Sequence, residues 1–187
     1  MEALLISEKF IKDNSAISDN LAGKYIQSSI REAQDIGFRG IVGDTLLDKL
    51  KELVKTDAIE SPENADYKRL LDRAQYYLMY TTLVAVVPKV TFKIANAGVV
   101  STPDEKVQVV SQEQLTLERA RYQALADSYA LDLQNFILNN WRKYPELTEG
   151  DYHRIHACLY SAASCGLWLG GARGKVAPDA RRACDEK

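Results

Sequence analysis

His153 and His156 are the chain's two histidines, and their spacing on a predicted helix brings both imidazoles to one side, with Asp151 and Cys158 nearby. That is the start of a zinc site and no more. Zinc takes three or four protein ligands, and neither a His-Glu-x-x-His pattern nor a Cys-x-x-Cys pair supplies the rest. The pair is therefore read as packing and capping histidines. The stretch from Gly166 to Lys175 imitates a phosphate loop, but Leu169 stands where the first glycine belongs and Val176 where a serine or threonine must follow the lysine. Cys158, Cys165 and Cys184 have no clear activating base, and no Gly-x-Ser-x-Gly elbow is present. Asp48 and Glu52 stand at helical spacing beside lysines, the ordinary pattern of a solvated face. Tyrosines at helical steps could stack bases, yet they coincide with a predicted interior seam. No catalytic residue, cofactor or metal is expected, and the chain is not expected to be an enzyme.

Composition agrees with a folded, non-catalytic body. Of the 187 residues, 46% are hydrophobic and 27% charged, enough apolar burial to offset chain entropy in one domain with an appended tail. Lys and Arg number 24 against 26 for Asp and Glu, so no excess of positive charge is available to neutralise phosphates. The odd cysteine set, crowded toward the C-terminus, makes no disulfide framework and points to a reducing compartment. The first residues, Met1 to Glu8, carry acid where an export signal needs base. Residues Ile155 to Ala172 resemble a membrane span in length only: His156, Ser161, Ser164 and three glycines interrupt them. No membrane association is expected.

The elements follow from periodicity. Ser7 is placed to cap a short helix through Ile11, and Ala22, Ile26, Ile30 and Ala33 form the inner face of a second, with Gly37 and Gly40 predicted to end it. Leu46, Leu47, Leu50, Leu53 and Val54 face inward on a third helix opening at Asp44. Ser61-Pro62 precedes a long helix carrying Tyr67, Leu70, Leu71, Ala74, Tyr77, Leu78, Thr81 and Ala85 inward, with Pro88 predicted to stop it. Val90 to Ile94 and Val99 to Thr102 alternate around Ala95-Asn96-Ala97-Gly98, a β-hairpin at about residues 90–102. An isolated two-stranded hairpin is marginal in water, so Phe92, Ile94, Val99 and Val100 are candidate contacts to a neighbouring subunit.

Ser111 and Gln114 form a capping box for a helix running to about Arg142. Its seam, Tyr122, Ala126, Tyr129, Leu133, Phe136, Asn140 and Tyr144, suits antiparallel packing on the Tyr67 helix. Thr148 with Asp151 caps one more helix. Beyond it Leu167, Trp168 and Leu169, set between glycines and followed by Arg173, read as a docking segment for a partner. The expected fold class is thus mainly α, a helical bundle with a long antiparallel helix pair, a small β-hairpin arm and an extended C-terminal tail. Residues 1–145 make the bundle domain and 146–187 the C-terminal helix and tail.

The run from Ile30 to Leu50, with its helix, glycine corner and second helix, resembles the head-tail connector proteins of tailed bacteriophages. The Tyr67 helix, the segment Ile94-Ala95-Asn96-Ala97-Gly98-Val99-Val100 and the Ser111 to Trp141 helix are similar to a branch found in crAss-like and other Bacteroidetes phages. The resemblance covers about residues 5–145. It implies a structural virion protein: a dodecameric ring in the neck, bound to the portal and to tail-side neck proteins, extending the channel through which packaged DNA passes without sequence-specific binding. Such a ring assembles in the bacterial host cytoplasm. The alternative from the residues alone is a cellular helical adaptor or regulator, which predicts a monomer or dimer without affinity for a portal. A metal-dependent enzyme centred on His153 and His156 is the third and weakest reading.

Overall fold

The computed structural model of the chain describes residues 3–17, 21–95, 98–101 and 111–165, with side chains placed for 3–17, 21–90 and 111–157. The protein is mainly helical. Ser7 Oγ accepts the Phe10 N–H at 3.0 Å and opens α1 (Glu8–Asn14). In α2 (Gly23–Glu32), Ile26, Ser29 and Ile30 are buried. The helix does not stop at Gly37 and Gly40, and that expectation is corrected. The helical run widens into one π-turn, Ala33–Phe38, resumes as α3 (Arg39–Val42), and ends only at Gly43, whose φ of +82° favours glycine.

Gly37 serves packing rather than termination. A Cβ built there would stand 2.6 Å from Tyr77 Oη, so the missing side chain lets the π-turn lie against the next long helix. The same turn buries Ala33, Gln34 and Phe38. Gln34 then acts as a substitute peptide group: its Oε1 accepts the Leu5 N–H at 2.9 Å and its Nε2 donates to the Ala3 carbonyl at 3.3 Å. Those bonds satisfy backbone groups that burial would otherwise leave without water, and they hold Leu5 and Ile6 in the core.

In α4 (Asp44–Lys55), Leu46, Leu47, Leu50 and Leu53 are buried while Asp48 and Glu52 face solvent, as an amphipathic stripe requires. Short 3₁₀ turns at Ala58–Glu60 and Pro62–Asn64 lead into α5 (Ala65–Thr91). Here the expectation that Pro88 ends the helix is also corrected, because α5 continues through it to Thr91. Pro88 lies one turn from the end, where the loss of a single bond to the Val84 carbonyl does not terminate the helix. Phe92–Ala95 (β1) pairs antiparallel with Gly98–Ser101 (β2). Next comes α6 (Gln112–Asn140), opened by a reciprocal Ser111 and Gln114 capping box. After a 3₁₀ turn at Trp141–Lys143, α7 (Glu149–Cys165) completes the described chain.

The packing is organised on α5. Along α6, Tyr144 Oη donates to the Asp66 carbonyl, Arg73 pairs with Asp132 at 2.8 Å, Tyr76 stacks on Tyr129, and Tyr80 meets Tyr122 and Tyr129. Partner numbers fall along α6 as they rise along α5. Ala126, Leu133, Ile137 and Tyr144 are buried, whereas Tyr122, Tyr129, Phe136 and Asn140 are half-buried. On the opposite side Lys89 ties α5 to α2 through Ser29 Oγ at 3.0 Å and Glu32 at 2.7 Å. Among the described residues, no helix is long and apolar enough to cross a membrane.

The Gly37 contact sets opposing effects against each other. Alanine gains up to about 1 kcal/mol of helix propensity over glycine, while overpacking a filled site costs roughly 1–3 kcal/mol. Because the obstructing atom ends a rigid, nearly buried ring, Gly37→Ala is expected to destabilise by about 1–2 kcal/mol in denaturant unfolding. In a Tyr77→Phe background the same change should be neutral or stabilising, and equal losses in both backgrounds would remove the close contact as the reason for glycine.

Candidate functional site

One end of the helix bundle is fully fitted. Tyr67 Oη donates to Glu146 at 2.9 Å, and burial, followed by that carboxylate, pushes the Tyr67 phenol up to about 12. Burial likewise raises Tyr144, with Asp66 adding to it, and Tyr144 stands edge-on to Tyr67. Trp141 packs on Tyr152 with ring centroids 5.3 Å apart, and Tyr152 contacts both His153 and His156. These aromatic contacts give the two histidines a packing environment. No group of three His, Cys, Asp or Glu residues able to hold a metal occurs among the described residues.

At this end α7 is clamped onto the corner that succeeds the π-turn. The Arg154 guanidinium donates to the Gly40 carbonyl at 2.6 Å and the Ile41 carbonyl at 3.4 Å, where a cation suits the outgoing carbonyls of a helical run. The α7 cap is reciprocal: Thr148 Oγ1 accepts the Asp151 N–H at 3.2 Å, and Asp151 Oδ2 accepts the Thr148 hydroxyl at 2.7 Å and its N–H at 3.1 Å. The Thr148 hydroxyl, then its N–H and the Arg154 charge, hold the Asp151 carboxyl below its ordinary range against a small opposing effect of burial. Ile155 is buried beneath this clamp.

The opposite end is open. A groove of about 380 Å³ has Ala33, Ile36 and Gly37 on one wall, Thr81, Val84, Ala85 and Pro88 on its floor, and Arg119 of α6 facing them. Ile36 is 75% exposed at its edge, and Leu117, on another face of α6 from Arg119, is 71% exposed. Both values mark apolar side chains that the described chain leaves uncovered. Val90 is exposed where α5 hands over to the strands.

The ladder leaves from this same end. Its register pairs Phe92 with Ser101, Lys93 with Val100, and Ile94 with Val99. Leu167, Trp168, Leu169 and Arg173 lie outside the described residues. Sequence reasoning passed over Ile36, the groove and the Arg154 clamp. Ile36 stands three after Ala33, so periodicity alone continues the Ile26, Ile30 and Ala33 stripe onto it and gives no sign of its exposure. The Arg154 contact spans 114 positions, a distance at which one-dimensional periodicity carries no information.

A family model described as a family of unknown function (DUF6712) matches residues 38–156, more than half of the chain. No curated protein and no solved structure matches it.

The depressed Asp151 titration gives a pH test. Its contribution is present above the ordinary value of 3.8 and is lost as pH falls below it, when the proton that the folded state resists must bind. The melting temperature of Asp151→Asn should lie below that of the unaltered chain at pH 6, with the gap narrowing as pH falls below 3.8. A gap of the same size at pH 3 would show that the carboxylate charge is not what stabilises the cap.

Proposed function

We propose that this chain, which belongs to that family of unknown function, is a structural virion protein whose copies form a ring beneath the portal and connect the capsid to the tail. In this reading the antiparallel α5 and α6 pair is the body of each wedge, and the β1–β2 hairpin is an arm that engages the adjacent subunit. The ring extends the DNA channel; it acts by assembly and makes or breaks no bond. Its neighbours are the portal and the tail-side neck proteins.

One observation carries the reading: the asymmetry of the molecule's two ends. The end built from Tyr67, Trp141, Tyr144 and Arg154 is closed by its own chain. At the other, a ladder of two four-residue strands pairs only within itself among the described residues, beside exposed Ile36, Val90 and Leu117. Two strands alone are marginal in water and gain stability by lying on another surface. A surface that reaches and a different surface that receives is the heterologous arrangement that closes rings. The resemblance of the Ile30 to Leu50 run, the Ile94 to Val100 segment and the Ser111 to Trp141 helix to phage connectors supplies the place of that ring.

Electron microscopy and mass photometry of the purified full chain, alone and with its portal protein, test this. Rings are expected, on their own or templated by the portal. A chain in which Val90 to Thr102 is replaced by a short Gly/Ser linker should remain a helical monomer by circular dichroism and lose ring formation. Rings that persist without the hairpin would remove the arm from the mechanism. A monomer or dimer indifferent to the portal would favour the cellular adaptor instead.

A further inference from the structure

The inward stripe of α5 contains a discrepancy that points to a missing partner. The period that places Tyr67, Leu70, Leu71, Ala74, Tyr77 and Leu78 inward continues to Thr81 and Ala85, yet both are only half-buried and form the groove floor. The buried positions beyond Leu78 are instead Met79, Thr82, Leu83 and Val86. Half of the helix's apolar face at this end is thus turned toward a trough bounded by the π-turn and α6. Toward the closed end, Arg154 of α7 bonds α3 next to the π-turn, and Tyr152 packs on Trp141 in the turn that follows α6. Toward the open end, nothing described fills the trough.

The course of α7 indicates what does. A Cβ on Gly43 would lie 3.7 Å from both Asp151 and Arg154, and Arg154 itself reaches back to Gly40. Numbers on α7 therefore rise as they fall along α3 and the π-turn, toward Ile36 and Ala33. From Arg154 to Cys165 the helix advances about 16 Å, whereas the wall from Gly40 back to Ala33 covers about 10 Å. The helix end is brought level with the groove or slightly past it. Gly166 comes at once, then Leu167-Trp168-Leu169, then Gly170-Gly171. An apolar triplet between glycines can bend back over the trough within two or three residues.

We infer that Leu167, Trp168 and Leu169 of the same chain occupy the groove between the π-turn and the C-terminal half of α5, with the Trp168 indole over Val84, Ala85 and Pro88. The groove, about 380 Å³ and open to solvent along one side, has room for an indole. The aliphatic floor suits an indole, and the exposed Ile36 edge gains a cover. The tail sequence marked as a docking anchor thereby has a receiving surface within its own subunit, leaving the basic stretch from Arg173 onward free to meet neighbours. This inference does not depend on the ring: it concerns the single subunit.

The full-length chain carrying Trp141→Phe, in which Trp168 is the one remaining tryptophan, provides the test. Its emission should be blue-shifted and shielded from acrylamide, and Ala85→Arg on the half-exposed floor should return it to the emission of exposed tryptophan. Trp168→Ala should lower the melting temperature of the isolated subunit by several degrees. Emission typical of solvent in both groove backgrounds overturns the assignment. To separate own chain from second copy, the native cysteines are replaced by serine and Val84→Cys is combined with Trp168→Cys. A short bis-maleimide should join the two within one chain at monomer mass, and either dimeric products alone or no product would overturn it.

Discussion

The closeness of Gly37 to the Tyr77 ring governs the arrangement of this molecule. A side chain at position 37 would meet the phenol oxygen well inside van der Waals contact, so the π-turn and α5 can approach as they do only because none is present. That approach brings Ile26, Ile30 and Phe38 into the same core as Leu70, Leu78 and Met79. It also carries Gln34 to the point where its amide can hold the backbone of Ala3 and Leu5. A wider separation would leave the N-terminal segment without its partners and open a void that apolar contact does not tolerate.

This contact also divides α5 into two halves. Near its start, α5 is enclosed by α6 and the turn at Tyr144, with the Arg154 clamp completing the nearby corner. Near its end, α2 reaches only as far as the Lys89 contacts with Ser29 and Glu32. The side facing Arg119 is left as a trough. Pro88 belongs to this half, where it contributes apolar surface to the floor and leaves the Val84 carbonyl without its usual helical donor. Among the described residues, the structure thus combines an end closed by its own contacts with one that carries an open apolar trough.

How much of this was legible in the sequence depended on the range of the interaction. Caps are local, so Ser7, the Ser111 and Gln114 box, and the Thr148 and Asp151 pair could be read from spacing alone. The stripe of α4 was equally plain, because one face of a short helix contains nearly all its leucines. The helix end expected at Gly37 failed for a tertiary reason: glycine permits termination but also permits close approach, and only the position of Tyr77 decides between them. Pro88 misled because a proline's effect depends on how many turns lie beyond it.

Exposed aliphatic residues are common on protein surfaces, and singly they need no explanation. The weight here comes from their placement. Ile36 edges the groove floored by Thr81, Val84, Ala85 and Pro88, so its exposure belongs to one apolar surface, whereas Leu117 stands two positions from Arg119 and faces elsewhere on α6.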